Sequence, residues 1–224
     1  MTDEHSKAAE ELKVLSQHLV SLAEIVESVF ADAVLGLMEG DFSAAREVRA
    51  EDYKAHQAWL QAESLCVELL VSGELSLKDV QFVTTAIKIA MWLRLAADES
   101  ASISQHIREC SPAHLGPDGP MRTLAEMSTL TQSMLSDGIE AFVNWDAGHT
   151  QGLHHVFREL TSLGKQLTEQ SAEKIPSADK DAGATLLSAV VVAHSLEAIG
   201  EYVLEISAHI ARLYGTHNST AVPE

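Results

Sequence analysis

Between Ala189 and Ile210 the chain sets Leu196, Ile199, Val203, Ile206 and Ile210 three and four residues apart, the spacing that most restricts its fold. Steps of this kind place the five side chains in one apolar stripe along an α-helix, which other helices must cover. Glu197, Glu201 and Glu205 fall one turn apart on the opposite face. Like charges at i,i+4 destabilise a helix by roughly 0.2–0.5 kcal/mol per pair unless a cation or a basic partner offsets them. The stretch has an echo earlier in the chain. With Leu93 placed on Leu196, Arg94 matches Glu197, Asp98 matches Glu201 and Ile103 matches Ile206. The chain reads as a duplication.

The rest of the sequence divides on the same plan. Leu12, Leu15, Leu19, Leu22, Val26, Val29 and Ala33 predict a first helix over residues 8–38, ended by Gly40. Asp41 caps a second over 42–71, with Val48, Ala55, Trp59, Ala62, Cys66 and Leu70 towards the core. Asp52, His56 and Glu63 lie on the flank of that face, where ionisable groups are costly unless partnered. Ser76 to Asp79 reads as a capping-box variant opening a third helix that reaches Cys110. Residues 111–120 hold three Pro and two Gly, the clearest linker in the chain. The plan then restarts with a helix over 121–144, a turn at Asp146 and a fifth helix over 147–173. Ser177 caps a sixth helix that reaches Tyr214. The expected fold is all-α: two tandem three-helix bundles, residues 1–110 and 121–214, joined by the linker and followed by a disordered tail over 215–224.

Charge excludes some functions. A net charge of −18 without a Lys/Arg cluster argues against nucleic acid and against adsorption to anionic lipid. It suits cation binding or docking onto a basic protein patch. The first residues lack the basic and apolar regions of a signal peptide, and the apolar run Leu186–Ala193 is too short to span a bilayer, so no membrane insertion is expected. Cys66 and Cys110 form neither a disulfide framework nor a zinc spacing and read as reduced core thiols in a cytoplasmic protein.

Enzymatic readings find little support. No Glu is followed by His at i+3, the pairing a di-iron bundle needs; the nearest case is Asp146 with His149. Neither a Gly-x-Ser-x-Gly elbow nor a Gly-rich phosphate loop is present. His154 and His155 read as a solvated pair, and Trp145 as folded onto its own helices.

The segment from Gly40 to Asp52, an acidic turn followed by an Ala-rich stretch and an acidic helix, resembles the first-repeat signature of the PhoU family of phosphate-uptake regulators. Leu196 to Ile206 resembles that family's Leu-Glu-Arg-Ile-Gly-Asp-x-Ala-x-Asn-Ile helix, and Leu77 to Val80 its entry to that helix. The likeness runs from about Leu12 to Leu213. It implies a cytoplasmic, non-enzymatic, often dimeric regulator that links a phosphate ABC transporter ATPase to a sensor histidine kinase. It also implies metal binding through the acidic motifs, which fall here on Glu197, Glu201, Asp98, Asp52 and His56. His among the ligands favours Fe, Ni or Zn over Mg or Ca, so the metal implied is Fe, Zn, Ni or Mn. Arg94 departs from the pattern by replacing an expected Glu, and is placed to pair with Asp52 or Asp98 in the metal's stead. Helix five offers Phe157, Arg158 and Thr161 where the second repeat should carry Asp, so a single or weakened site is expected. The alternative is a metal-free helical adaptor acting through its acidic surface.

Overall fold

The structure, a computed structural model, describes residues 2–39, 44–73, 75–110, 119–144 and 152–218. Six α-helices run through these residues, and among them there is no strand. They are α1 (Thr2–Glu39), α2 (Ala44–Ser72), α3 (Leu77–Ile107), α4 (Pro120–Asn144), α5 (Leu153–Lys174) and α6 (Lys180–Asn218), with a 3-10 turn, Ile175–Ser177, before the last.

Their ends follow local chemistry. Gly73 ends α2 with φ at 71°, the left-handed conformation that closes a helix. Ser76 then opens α3 through a complete capping box: its hydroxyl accepts from the Asp79 N–H, and its own N–H donates to Asp79 Oδ2 at 3.0 Å. Pro120 stands first in α4, where its missing N–H costs nothing. Two expectations need correction. Ser177 belongs to the 3-10 turn, and Asp179 takes the capping role for α6, its Oδ1 accepting from the Ala182 N–H at 2.8 Å. The helix also continues to Asn218, so residues 215–218 of the expected tail are helical. The turns at Asp41 and Asp146, residues 111–118 of the linker, Trp145, His149 and residues 219–224 lie outside the described residues.

Within each half, three helices pack on one another, α1–α3 and α4–α6. The halves meet chiefly where α3 lies along α6, with α1 against α4 as a second seam. One contiguous apolar core runs through both, from Leu15 to Ile210. The duplication is legible in burial. In the register that sets Leu93 on Leu196, buried Ala86, Ile89, Ala90, Ala96 and Ala97 match buried Ala189, Val192, Ala193, Ile199 and Gly200. Ser100, Ile103, Ser104 and Ile107 continue the series onto Val203, Ile206, Ser207 and Ile210, all buried. In α2 the buried residue near the C-terminus is Leu69; Leu70 faces out, because the inward stripe drifts round the helix over its last turns.

α3 and α6 run antiparallel. Cys110 lies by Thr185, Trp92 stacks on Tyr202 at 5.3 Å between ring centroids, and Lys88 shares a cleft with His209. By length and composition both helices could cross a membrane, which the short run Leu186–Ala193 alone did not indicate. Here they are the two central helices of the bundle pair, and their apolar stripes are spent on the shared core. Cys66 and Cys110 are free and buried, as expected, and burial pushes both thiols up to about 11.

Candidate functional site

In the first half, α2 carries Asp52 and His56 one turn apart, and α3 carries Arg94 and Asp98 in the same relation. The two helices pack so that the guanidinium of Arg94 stands between the carboxylates. Its Nη1 donates to Asp52 Oδ1 at 2.7 Å, and its Nη2 lies 2.6 Å from Asp98 Oδ1. The planar fork of Arg suits this double engagement, which a Lys point charge would not reproduce. Arg94 is only 15% exposed at its side chain and Asp52 27%, whereas Asp98 is half exposed. Desolvation holds the Asp98 carboxyl above its ordinary value; Arg94 and His56 oppose this, and Asp52 adds to it. His56 leans on Trp59, with ring centroids 5.5 Å apart. Of the five residues expected to hold metal, Asp52, His56 and Asp98 therefore gather here, around a cation the chain itself supplies.

The second half uses the equivalent positions differently. Glu197, on the register position of Arg94, does not lie on a fully solvated face. Its carboxylate occupies the notch where α5 passes with Gly164, and a Cβ built on Gly164 would fall on Glu197 Oε1. Met127 of α4 closes the notch. Burial raises the Glu197 pKa, and His194, whose Nδ1 lies 3.9 Å from Glu197 Oε2, draws it back. Glu201 is exposed and lines a cleft of about 350 Å³ with Phe157, His154, Leu204 and Glu205. Phe157, one of the residues standing where Asp was expected, packs towards Gly200 instead of offering a ligand. Across the α3–α6 seam, Tyr202 is raised by burial and then by Glu99, Glu201 and Asp98, so the acidic motifs of the two halves approach each other around this phenol.

The donor set does not fit a multi-ligand metal centre. Hard cations want several oxygens, and a softer ion wants three or four imidazole, thiolate or carboxylate ligands. Among the described residues, no group of three or more His, Cys, Asp or Glu is gathered closely enough to hold an ion. In the first half Arg94 fills the place between the carboxylates. In the second, Glu197 faces Gly164 and His194 while Glu201 opens onto the cleft with His154 and Glu205, so the two carboxylates do not converge with a third ligand among the described residues. Sequence reasoning missed Gly164, Met127 and Tyr202. A Gly in mid-helix opposite an acidic motif was a weak signal of close helix approach, and nothing in the sequence assigned Glu197 to it.

Residues 19–107 match the PhoU domain. The phosphate-specific transport system accessory protein PhoU homologs of Pseudomonas putida and Pseudomonas aeruginosa are 24% and 23% identical over 201 residues. Each alignment covers 88% of this chain, and 76% and 81% of the respective relative. The crystal structure of PhoU from Pseudomonas aeruginosa superimposes with a TM-score of 0.86 at 20% identity, covering 93% of this chain and 99% of that one. The phosphate transport system regulatory protein PhoU from Streptococcus pneumoniae gives 0.81, also at 20% identity, over 97% of this chain and all of that one.

Proposed function

We propose that this chain, which belongs to the PhoU family, is a non-catalytic cytoplasmic regulator of phosphate uptake that works through protein contacts. The partners in this reading are a phosphate ABC transporter ATPase and a sensor histidine kinase, met by a dimer of the chain. The likeness to phosphate transport accessory proteins along nearly the whole chain carries it. The net charge of −18 adds a physical argument, since an acidic helical surface favours docking on basic protein patches.

Within this reading the chain does without metal in its first half. Arg94 supplies beside Asp52 and Asp98 the positive charge that a bound ion would otherwise bring. That observation favours the metal-free adaptor over the metal-dependent regulator.

Two measurements test the proposal. A strain lacking the gene should lose repression of its phosphate-starvation reporter in rich phosphate and regain it on complementation; repression that persists without the gene rejects the regulatory reading. Binding of the purified chain to the transporter ATPase, with and without a chelator, tests the second part. Binding indifferent to chelation, with no Fe, Zn, Ni or Mn in the protein by elemental mass spectrometry, is the expected result. Metal that is present in the parent and lost in Glu197→Ala/Glu201→Ala would restore the metal-dependent regulator.

A further inference from the structure

Although the chain is acidic, a cleft among the described residues is basic. It lies between the N-terminal half of α3 and the C-terminal half of α6, holds about 190 Å³, and is lined by Gln81, Thr84, Thr85, Lys88, His209 and Arg212. Two side-chain cations and an imidazole converge there from two helices. Lys88 makes no ion pair among the described residues. The hydroxyl of Thr84 is committed to the carbonyls of Val80 and Gln81, at 2.8 and 3.0 Å, which leaves Gln81, Thr85, Lys88 and His209 with donors to offer. The volume is below the roughly 300–1,000 Å³ of sites for drug-sized molecules, so the cleft suits a small polar group.

The duplication supplies a second observation. In the register that pairs Leu93 with Leu196, Lys88 corresponds to Val191, His209 to His106 and Arg212 to Glu109. Because α3 and α6 are antiparallel, these equivalents meet at the opposite end of the same seam. There His106 faces an acid, its Nδ1 being 3.2 Å from Glu109 Oε2, close enough for an ion pair though not aimed as a hydrogen bond. The residues beside it, Leu187 and Val191, are exposed and apolar. The same backbone frame thus carries an acidic and apolar end and a basic, donor-rich end.

We propose that the Lys88–His209–Arg212 cleft binds a tetrahedral oxyanion of the phosphate type, clasped between the two halves of the molecule. The net charge of −18 opposes anions at long range, but salt screens charges beyond about 8–10 Å, so an anion here responds to the local cations. His209 reports on occupancy. Burial, then Lys88 and Arg212, hold its imidazole below the usual value, with Glu205 opposing them, so a bound dianion should raise it. The proposal rests on the charges of the cleft and stands whether or not the chain regulates phosphate uptake. The anion has two sources, free orthophosphate or the phosphoryl end of a nucleotide, and the test separates them.

The full chain is titrated with inorganic phosphate and, separately, with a nucleoside triphosphate, following the His209 ring signals by NMR and the heat by calorimetry. A saturable response at His209 with a raised imidazole pKa is expected from at least one ligand. In Lys88→Gln the affinity should fall at least about tenfold, because one charged hydrogen-bond donor is lost. Lys88 is exposed, so the variant folds as the parent does, and Lys165→Gln, at an exposed position on α5, should bind like the parent. Response to orthophosphate identifies the free ion, and response to the nucleotide alone identifies the phosphoryl source. Absence of saturation by either ligand up to about 10 mM, or equal affinity in Lys88→Gln, overturns the proposal.

Discussion

Replacing Arg94 by Met keeps most of its apolar stem and removes the guanidinium that joins α2 to α3. The magnitude follows from how each arm is exposed. The arm to Asp52 joins side chains that are 15% and 27% exposed; a charge-assisted hydrogen bond there contributes about 1.5–3 kcal/mol. The arm to Asp98 reaches a carboxylate that is half exposed and spans one turn of the same helix, and contributes only about 0.2–1 kcal/mol. Arg94→Met should therefore cost about 2–4 kcal/mol, a fall in Tm of roughly 4–16 °C for a chain of this size. Urea and thermal unfolding by circular dichroism measure it. Much of the loss comes from stranding the partly buried Asp52 carboxylate, so Asp52→Asn in the Arg94→Met background should recover part of it. Arg94→Glu carries the logic further, since it restores an acid where the family motif has one. Manganese should then stabilise Arg94→Glu, by about 2.7 kcal/mol at a hundredfold excess over Kd, and leave the parent unmoved. A loss in Arg94→Met below about 0.5 kcal/mol would reduce the pair to an ordinary surface ion pair. Equal manganese responses in parent and variant would refute the idea that Arg94 stands in for a metal.

Two glycines on neighbouring helices should respond in opposite directions to Ala. At Gly138 the new Cβ would lie 2.6 Å from Cγ1 of buried, β-branched Val203, which cannot turn away, so Gly138→Ala should lose about 1 kcal/mol despite better helix propensity. At Gly164 the atom in the way is the end of Glu197, which can swing to water, so Gly164→Ala should gain about 0.5 kcal/mol by thermal unfolding; the reverse order would show that the notch is rigid. Glu197→Gln should raise Tm at neutral pH. Burial lifts the Glu197 pKa in the folded chain, so the folded state binds the extra proton between the unfolded and folded values, and the parent gains stability as pH falls from neutral into that window. The gain should shrink in Glu197→Gln when melts near pH 7 and about pH 5 are compared, and an unchanged pH dependence would exclude Glu197 as its source. Cys66 and Cys110, pushed up to about 11 by burial, should react with a thiol reagent at neutral pH only after unfolding; native-state labelling at a free-thiol rate would contradict their burial.

The fold was readable because one kind of information repeats through the sequence. Alternating three- and four-residue spacing along α1 and α6 fixed their buried faces, and Leu15 to Ala33 and Leu196 to Ile210 are buried along the predicted stripes. Capping was readable where the chemistry is local, as at Ser76 with Asp79, and misread where two candidates stood close together, as at Ser177 and Asp179. The pairing of Arg94 with Asp52 and Asp98 was also legible, because an Arg among acids beside a core has few other places to go. Glu197 was not. Its own helix places it one turn from Glu201, but its burial depends on α5 presenting Gly164 there, a matter of register between helices far apart in sequence. The basic cleft was hidden for the same reason. Lys88, His209 and Arg212 are unremarkable along the chain and become a group only when α3 and α6 lie antiparallel.

That antiparallel pairing also explains how a duplicated chain can be symmetric inside and asymmetric outside. Positions pointing into the seam must interlock with their counterparts, and a change there leaves a cavity or an overlap costing a few kcal/mol, so Leu93 and Leu196, or Ile107 and Ile210, keep the same character. Positions one step round the helix meet water, where a charge reversal costs a few tenths of a kcal/mol. Arg212 against Glu109 and Lys88 against Val191, all four exposed, are reversals or replacements of this outer kind, whereas Arg94 and Glu197 are half-buried and held by neighbouring helices. The packing requirement therefore holds the two halves in one frame while leaving each end of the seam free to take a different electrostatic character. On this argument, exchanging the outer residues of the two ends in one variant, Lys88→Val with Val191→Lys and Glu109→Arg with Arg212→Glu, should preserve unfolding free energy within about 1–2 kcal/mol and move the oxyanion response from His209 to His106. A collapse of the fold would show that these outer positions are bound into the core after all.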